Sequence, residues 1–320
     1  MSVPVTVIGN VNVDLVMGPQ EPWPRPGTEV VLPTSDLRVG GAAGNVALAL
    51  AGLGLAYRLV ANRGADIFGR WLAEPFGAAA ENWPHAASAT TISVGITHPG
   101  DERTFFTTTG HLVDFTFADV LAQLPAEAEA GAVALLVGPF VTPRLLPEYA
   151  ALIATLRRRG FAVALDTGWP DEGWTPAVRA RVTAWLSSCD HLLINEIEAC
   201  GLAGEDHLDT AAARLVALLP PGATLAVKRG AEGAAAWHGG ESLAVPAPRV
   251  AVVDTIGAGD AFDAGYLACL ADGGTWREAV QAGVEVASLA VSTSPRHYRR
   301  VRAGEVGLSN AAHTLPRPAS

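Results

Sequence analysis

The sequence predicts an α/β fold, a three-layer α/β/α sandwich that carries a small β-sheet lid. The first observation is a series of short apolar runs rich in β-branched residues, which suit buried parallel strands. These runs cover residues 3–8, 132–137, 161–165, 191–194 and 224–227. The second observation is that helical patterns separate most of the runs, as in βαβ units. The predicted helices cover residues 44–53, 147–159, 175–187 and 210–219.

Two stretches interrupt this alternation and predict the lid. Residues 11–37 contain a proline-rich turn and an extended segment at 28–32, and residues 90–112 contain two β-like runs around a turn at 98–101. We expect antiparallel β segments in one sheet over the ends of the parallel strands; an ordinary edge hairpin is the alternative. The α/β domain then comprises residues 1–10, 38–89 and 113–302, and a peripheral tail comprises residues 303–320.

The composition favours a globular protein with a small-molecule partner. A chain of 320 residues with 49% hydrophobic residues can bury a large core. The formal charge of −10 argues against a nucleic-acid partner. Three cysteines without metal-ligand spacing indicate neither a disulfide framework nor a zinc site. Because the chain shows no signal-peptide pattern and no apolar run of about 18 residues, we expect a cytoplasmic protein without membrane partners.

The most informative segment covers residues 254–260, which read DTIGAGD. It follows the apolar run 250–253 and precedes a helical pattern, so we expect a strand, a glycine turn and a helix start. Gly257 and Gly259 allow the amides of such a turn to point at one anion. A carboxylate at Asp260 would then lie beside a bound phosphate and within reach of a substrate hydroxyl. The alternative is a tight turn with Asp260 as an N-cap.

Polar residues after the first strand and before the first helix form a second candidate site. Asp14 can accept hydrogen bonds from two adjacent hydroxyls, as a sugar offers them. Gly40 and Gly41 permit close approach to the backbone, and the Asn45 amide can both donate and accept. An Asx turn at Asp14 and a glycine turn with close helix packing are the alternatives.

The ends of two later strands also carry chemistry. Asn195 and Glu198 lie three residues apart on one helix face and offer oxygen ligands that suit Mg²⁺, although a helix cap would use the same pair. Lys228, the only lysine, precedes Gly230 and Gly233 at an edge where nucleotide phosphates would fit. An exposed lysine in a turn is the alternative.

Two common nucleotide-binding patterns are missing from the sequence. The first strand is followed by Gly9, Asn10, Val11 and Asn12 rather than by GxGxxG, which disfavours a dehydrogenase. The chain also has no GxxxxGK[ST] segment and therefore no P-loop site.

Together these motifs resemble the ribokinase-like carbohydrate kinases of the PfkB family. Residues 254–260 match the family's DTxGAGD signature, and Gly40 and Gly41 with Asn45 and Ala47 match its GGxxxNxA motif. The resemblance covers roughly residues 3–300. It implies a ribokinase-like fold and ATP-dependent phosphorylation of an alcohol group on a sugar-like substrate.

The resemblance also implies a role for each site residue. Asp260 would be the general base, and the amides of Gly257, Ala258, Gly259 and Asp260 would form the anion hole. The acceptor would be held by Asn12, Asp14, Gly40, Gly41 and Asn45. The nucleotide would lie beside Asn195, Lys228, Gly230, Gly233, Thr255, Gly257 and Gly259, with its adenine near residues 283–292.

Cations and a partner subunit follow from the same resemblance. Asn195 and Glu198 would organise Mg²⁺ through water, and Asp254 with carbonyls near Ile256 would hold a monovalent cation such as K⁺. Because family members often pair through the lid, and its outer face would be exposed, we expect a homodimer.

The acceptor itself stays open in the sequence. Residues 138–140 and 166–169 depart from the patterns of ribose kinases and of many ketose and keto-acid sugar kinases. Arg103 would reach an anionic or heavily hydroxylated substrate, or would decorate an exposed strand. A nucleoside kinase is the main alternative, with Trp23, Phe105 and Phe106 as stacking residues. A catalytically silent sugar-binding regulator on the same scaffold is another.

Overall fold

The computed structural model of the protein describes residues 3–99, 103–302 and 304. The strands are β1 (Val5–Ile8), β2 (Asn12–Gly18), β3 (Thr34–Gly40), β4 (Tyr57–Val60), β5 (Arg63–Gly64), β6 (His85–Ala86), β7 (Ile92–Thr97), β8 (Arg103–Thr107), β9 (Val133–Val137), β10 (Ala162–Asp166), β11 (His191–Asn195), β12 (Thr224–Lys228), β13 (Ala234–His238) and β14 (Glu241–Val245). The α-helices are α1 (Ala42–Gly52), α2 (Ile67–Ala73), α3 (Phe117–Gln123), α4 (Tyr149–Arg158), α5 (Pro176–Leu186), α6 (Glu196–Ala203), α7 (Leu208–Leu218), α8 (Ala258–Ala271) and α9 (Trp276–Val291). Part of the predicted turn at 98–101 and nearly all of the predicted tail lie outside the described residues.

The main sheet has eight strands in the order β14-β13-β12-β11-β10-β9-β1-β4. The neighbours from β12 to β4 pair in parallel, while β13 and β14 form an antiparallel edge. All five apolar runs in the sequence are strands of this sheet. The prediction of a parallel sheet built from βαβ units is therefore confirmed.

Each face of this sheet carries its own hydrophobic core. Successive strand residues point to opposite faces, so Val7 and Leu135 pack with residues of α1, α8 and α9. Ile8 and Leu136, one position further along each strand, pack with residues of α3 to α7. Helices on both faces make the three layers. Within the described residues, none of the helices is long and apolar enough to span a membrane.

The lid is a separate four-stranded sheet in the order β3-β2-β7-β8. Its outer pairs are antiparallel, but β2 and β7 run in parallel, with Asp14 opposite Ser93. The prediction of purely antiparallel pairing was wrong for this central pair. The extended segment 28–32 forms no strand, because β2 ends at Gly18 opposite Thr34, and earlier residues have no strand to pair with.

The apolar run before the glycine turn is not the strand that the sequence predicted. Residues 250–253 form no strand, and Val250, Val252 and Val253 are exposed. The amide of Val253 instead donates to the carbonyl of Val291 at the end of α9 (2.8 Å). Backbone pairing with a helix end replaces the expected strand and ties the turn to the last helix.

Candidate active site

The site lies where the carboxyl ends of β9 to β12 meet the beginning of α8, the usual place for a ligand in an open α/β sheet. A cavity of about 430 Å³ occupies this position. Its lining includes most of the residues that the sequence assigned to the nucleotide and the transferred phosphate. These are Asn195, Glu198, Lys228, Gly230, Gly233, Thr255, Gly257, Ala258, Gly259 and Asp260.

The glycine turn is closed by its own backbone. Gly257 has a left-handed φ of 72° and precedes α8, which explains why glycine stands there. The Ala258 amide donates to the Thr255 carbonyl (3.2 Å) and closes the turn. The amides of Gly259 and Asp260 belong to the first turn of α8, where N–H groups have no intrahelical acceptor. Both residues line the cavity, and free amides at the beginning of a helix can bind an anion.

Asp260 is the third residue of α8 rather than its N-cap. One carboxylate oxygen, Oδ2, accepts a hydrogen bond from Nδ2 of Asn45 (2.8 Å). Burial and the neighbouring Asp166 raise the pKa of Asp260 to about 7, against the opposing effects of Asn45, Lys228 and Arg296. A carboxylate that titrates near neutral pH is suited to accept a proton in catalysis.

The glycine pair before α1 makes room for polar side chains. A Cβ on Gly40 would lie 2.1 Å from the Asp14 carboxyl group, and one on Gly41 would lie 2.6 Å from Oδ1 of Asn12. Asn12 in turn donates to Oδ1 of Asp14 (2.8 Å). Both side chains are buried, and burial raises the pKa of Asp14 to about 6 despite nearby Arg38.

Lys228 is the centre of a buried ionic cluster instead of an exposed turn. Its Nζ donates to Asp166 (2.8 Å) and to Asp263 (3.2 Å), and it lies 3.3 Å from the position of a Cβ on Gly259. Burial alone would lower the pKa of Lys228, but the two aspartates and Glu198 outweigh it and raise the pKa. The ammonium group stays charged beneath the anion-binding turn.

Asn195 and Glu198 form a reciprocal helix cap. The Glu198 amide donates to Oδ1 of Asn195 (2.8 Å), and the Asn195 amide donates to Oε2 of Glu198 (2.9 Å). Burial and the neighbouring Asp166 raise the pKa of Glu198 to about 7. The described residues contain no cluster of three or more His, Cys, Asp or Glu side chains with metal-binding geometry.

Arginines surround Asp254, the residue predicted to hold a monovalent cation. Its Oδ2 accepts from Arg38 (2.7 Å) and Arg296 (3.0 Å), and Arg296 also donates to the carbonyl of Ile256. Burial alone would raise the pKa of Asp254, but the Ile256 amide and the arginines lower it. A guanidinium group therefore occupies the place that the resemblance assigned to a cation.

Comparison with known proteins agrees with this geometry. The model of the pfkB family carbohydrate kinases matches residues 4–295. The chain belongs to that family. It is therefore a phosphotransferase with an alcohol group as acceptor, a sugar or nucleoside kinase of the PfkB type.

Individual relatives support the assignment. A fructokinase of Klebsiella pneumoniae is 30% identical over 239 residues, 72% of this chain and 76% of that protein. A fructokinase of Rhizobium leguminosarum bv. trifolii is 35% identical over 145 residues, 44% of this chain, which span only 40% of that protein. The structure of Arabidopsis thaliana ribokinase with ribose and ATP has a TM-score of 0.74 at 23% identity and covers 94% of this chain and 97% of that one. This likeness confirms the ribokinase-like fold.

The three predicted stacking aromatics lie on opposite faces of the lid. Phe105 pairs with Gly95 and, by strand alternation, shares the inner face with Asp14. Phe106 follows Phe105 and therefore lies on the outer face, where the Trp23 ring contacts it in a tilted arrangement (5.8 Å between ring centroids). Phe105 is the one member of this trio that faces the α/β body.

Four charged residues of this kinase site were not predicted from the sequence. Asp263 follows Asp260 by three residues on α8, a helical spacing that could have revealed it. Asp166 directly follows the predicted strand 161–165 and was considered only as part of a segment that departs from the pattern of ketose and keto-acid sugar kinases. Arg38 lies opposite Asp14 in the lid, and Arg296 lies 40 residues beyond Ile256. Neither arginine has a local signal.

Replacing Lys228 tests the buried cluster. We expect Lys228→Met to lower the free energy of unfolding by about 3–5 kcal/mol, because Asp166 and Asp263 would lose their counter-ion. Denaturant unfolding at pH 7 measures the change. The control Arg229→Met removes the neighbouring surface ion pairs and should cost about 1 kcal/mol or less. Equal effects of the two substitutions would contradict a structural role for the buried ammonium group.

Proposed function

We propose that the protein transfers the γ-phosphate of ATP to a hydroxymethyl or other alcohol group of a sugar or sugar-like substrate. The observation that carries this proposal is the contact between Asp260 and Asn45 (2.8 Å). It joins the anion-binding turn at the beginning of α8 to the helix that follows the glycine pair. A phosphate bound to the turn and a hydroxyl held near Asn45 would therefore meet at Asp260.

In the proposed reaction the acceptor oxygen forms a bond to the γ-phosphorus while the bond from that phosphorus to the β,γ-bridging oxygen breaks. The hydroxyl proton passes to Asp260, and ADP leaves. The amides of Gly259 and Asp260 donate hydrogen bonds to the oxygens of the phosphoryl group in transfer, and Lys228 supplies a fixed positive charge beneath these amides. The protein contributes positioning and electrostatic stabilisation, since the bond changes occur between the two substrates.

The nucleotide would occupy the cavity along α9. Val284, Ala287 and Ser288 line this cavity together with Gly230 and Gly233. Val284, Ala287 and Ser288 have small or apolar side chains and fall within residues 283–292, where adenine was predicted. This lining supports a nucleotide that extends from α9 to the glycine turn.

The residues present fit Mg²⁺ through water. Glu198 lines the cavity. Its Oε2 and the Oδ1 of Asn195 already accept the hydrogen bonds of the helix cap. Mg²⁺ usually keeps several waters and takes phosphate oxygens as ligands, so Glu198 would hold its hydration shell. When bound, the ion would neutralise charge on the phosphates of ATP.

A nucleoside kinase and a catalytically silent sugar-binding regulator are the two alternative functions. A nucleoside kinase is favoured by one observation, the exposed Phe105 ring on the inner lid face, and turnover of nucleosides in an acceptor panel would support it. A silent sugar-binding regulator would bind sugar without releasing ADP.

We also propose a homodimer through the outer lid face, where Trp23, Leu37 and Phe106 are about half exposed; sedimentation at micromolar concentration tests it.

Asp260→Asn tests the proposed base. We expect turnover to fall on the order of 10²-fold or more, because the variant cannot accept the proton. In the parent protein only the ionised carboxylate is active, so kcat/KM should fall as pH decreases below about 7, the raised pKa of Asp260. Steady-state kinetics of ADP release between pH 5 and 9 measure both effects.

Thermal unfolding provides the control for that variant. A carboxyl group whose pKa is raised by folding loses stabilising free energy as pH rises through that pKa, so a neutral amide should leave stability at pH 8 unchanged or higher. A stably folded Asp260→Asn protein with parent turnover would rule out Asp260 as the base.

Replacing K⁺ tests the proposed monovalent cation. Because Arg296 already bridges Asp254 and the Ile256 carbonyl, we expect activity in N-methylglucamine chloride to equal that in KCl at the same ionic strength. Activity that requires K⁺ would show instead that a cation displaces Arg296 and holds the turn.

A further inference from the structure

The inner face of the lid carries two arginines beside the residues proposed to hold the acceptor. Arg38 lies directly opposite Asp14 across β2 and β3. Arg103 precedes Phe105 by two residues on β8, so both side chains point to the same face. The strand register thus places Asp14, Arg38, Phe105 and Arg103 on the face that covers the anion-binding turn.

Both arginines reach across to the body of the protein. Nη1 of Arg38 lies 2.7 Å from Oδ2 of Asp254. Nη2 of Arg103 donates to the Thr255 hydroxyl and lies 3.9 Å from Oδ1 of Asp254. The two guanidinium groups therefore connect the lid face that carries Asp14 to the segment just before α8.

Within the described residues, the ion pairs of this network join three arginines to two carboxylates. Asp254 is shared among Arg38, Arg103 and Arg296. Among the described residues, the other carboxylate within ion-pair distance is Asp36, which is 64% exposed and lies 3.6 Å from Arg38; the charge of Asp14 also acts on Arg38. Of the two carboxylates that form ion pairs here, one is largely in water, where an ion pair is weak.

One arginine nitrogen lacks a partner. Nη2 of Arg38 is buried, and no hydrogen-bond acceptor contacts it among the described residues. The side chains of Arg38 and Arg103 are only 25% and 20% exposed. A desolvated guanidinium donor without an acceptor is costly, and a carboxylate or phosphate matches its planar donor pattern.

We propose that the acceptor carries an anionic group, a carboxylate or a phosphate, which Arg38 and Arg103 bind while its reacting hydroxyl lies at Asp260. This inference rests on the proposed kinase function and narrows its substrate class to acidic or phosphorylated sugars. Asp14 binds the hydroxyls of the acceptor, and the Phe105 ring packs against an apolar face of it.

An acceptor panel with matched charge tests the proposal. ADP release is measured with ATP and Mg²⁺ and with D-fructose, D-fructose 6-phosphate or 2-keto-3-deoxy-D-gluconate, for the parent protein and for Arg103→Gln. We expect one of the two anions to have the highest kcat/KM. If it is D-fructose 6-phosphate, the anionic group is a phosphate; if it is 2-keto-3-deoxy-D-gluconate, the group is a carboxylate. Arg103→Gln should raise KM for that anion about 10- to 100-fold, a larger factor than its effect on KM for D-fructose.

Two further variants separate charge recognition from a lid contact. Arg103→Lys keeps the charge and should recover part of the affinity for the anion. Arg214→Gln, at an exposed ion pair on α7, should change nothing. If Arg103 serves only to hold the lid on Thr255, Arg103→Gln will impair neutral and anionic acceptors equally, which overturns the proposal.

Direct binding keeps this inference distinct from the kinase assignment. Calorimetry with Asp260→Asn compares the same three acceptors without turnover. Tighter binding of an anion than of D-fructose supports the inference even if the parent protein releases no ADP with any acceptor. Absence of ADP release would refute the kinase function separately. Preference for D-fructose, in binding or in kcat/KM, overturns the inference and leaves the kinase function intact.

Discussion

The hydrogen bond between Asp260 and Asn45 is the interaction on which the rest of the site depends. It holds a buried carboxylate at the beginning of α8 against the helix that follows the glycine pair. Burial raises the pKa of this carboxyl group to about 7, so the geometry that places the proposed base also sets its proton affinity. Neither half of the chain provides this alone. The parallel sheet brings both helices to one edge, and packing of α1 and α8 in the same core fixes their distance.

Around this contact the protein buries ionisable groups that would be more stable in water. Lys228 compensates two aspartates, one of which, Asp263, is fully buried and has a pKa raised well above its usual value by burial. Glu198 also has a raised pKa. A cluster of this kind weakens a fold unless each charge finds a partner. Its position beneath an anion-binding turn gives a reason for the cost, since fixed charges in a dry site act strongly on a transferring phosphate.

The sequence predicted the main sheet well because its strands are buried on both faces and therefore appear as continuous apolar runs. The prediction of a strand at residues 250–253 was wrong because it also depended on an apolar run. The three valines of this run indicate a strand, yet here they are exposed and no neighbouring strand pairs with them. Local pattern also cannot choose partners, so the parallel pairing of β2 with β7 was missed. The DTIGAGD and GG-Asn motifs identified the two segments that the structure brings together through Asn45 and Asp260. Arg38 and Arg296 were not predicted, because their contacts join segments far apart in the chain.

In the proposed reaction, one acceptor hydroxyl and one phosphate meet at Asp260. A crystal structure with an acceptor identified by the panel and a non-hydrolysable ATP analogue tests it most directly. We predict an acceptor hydroxyl within hydrogen-bond distance of the Asp260 carboxylate, about 2.6–3.2 Å, with the terminal phosphate on the amides of Gly259 and Asp260. An acceptor whose hydroxyls all face away from Asp260, or a terminal phosphate bound away from the turn, would contradict the account.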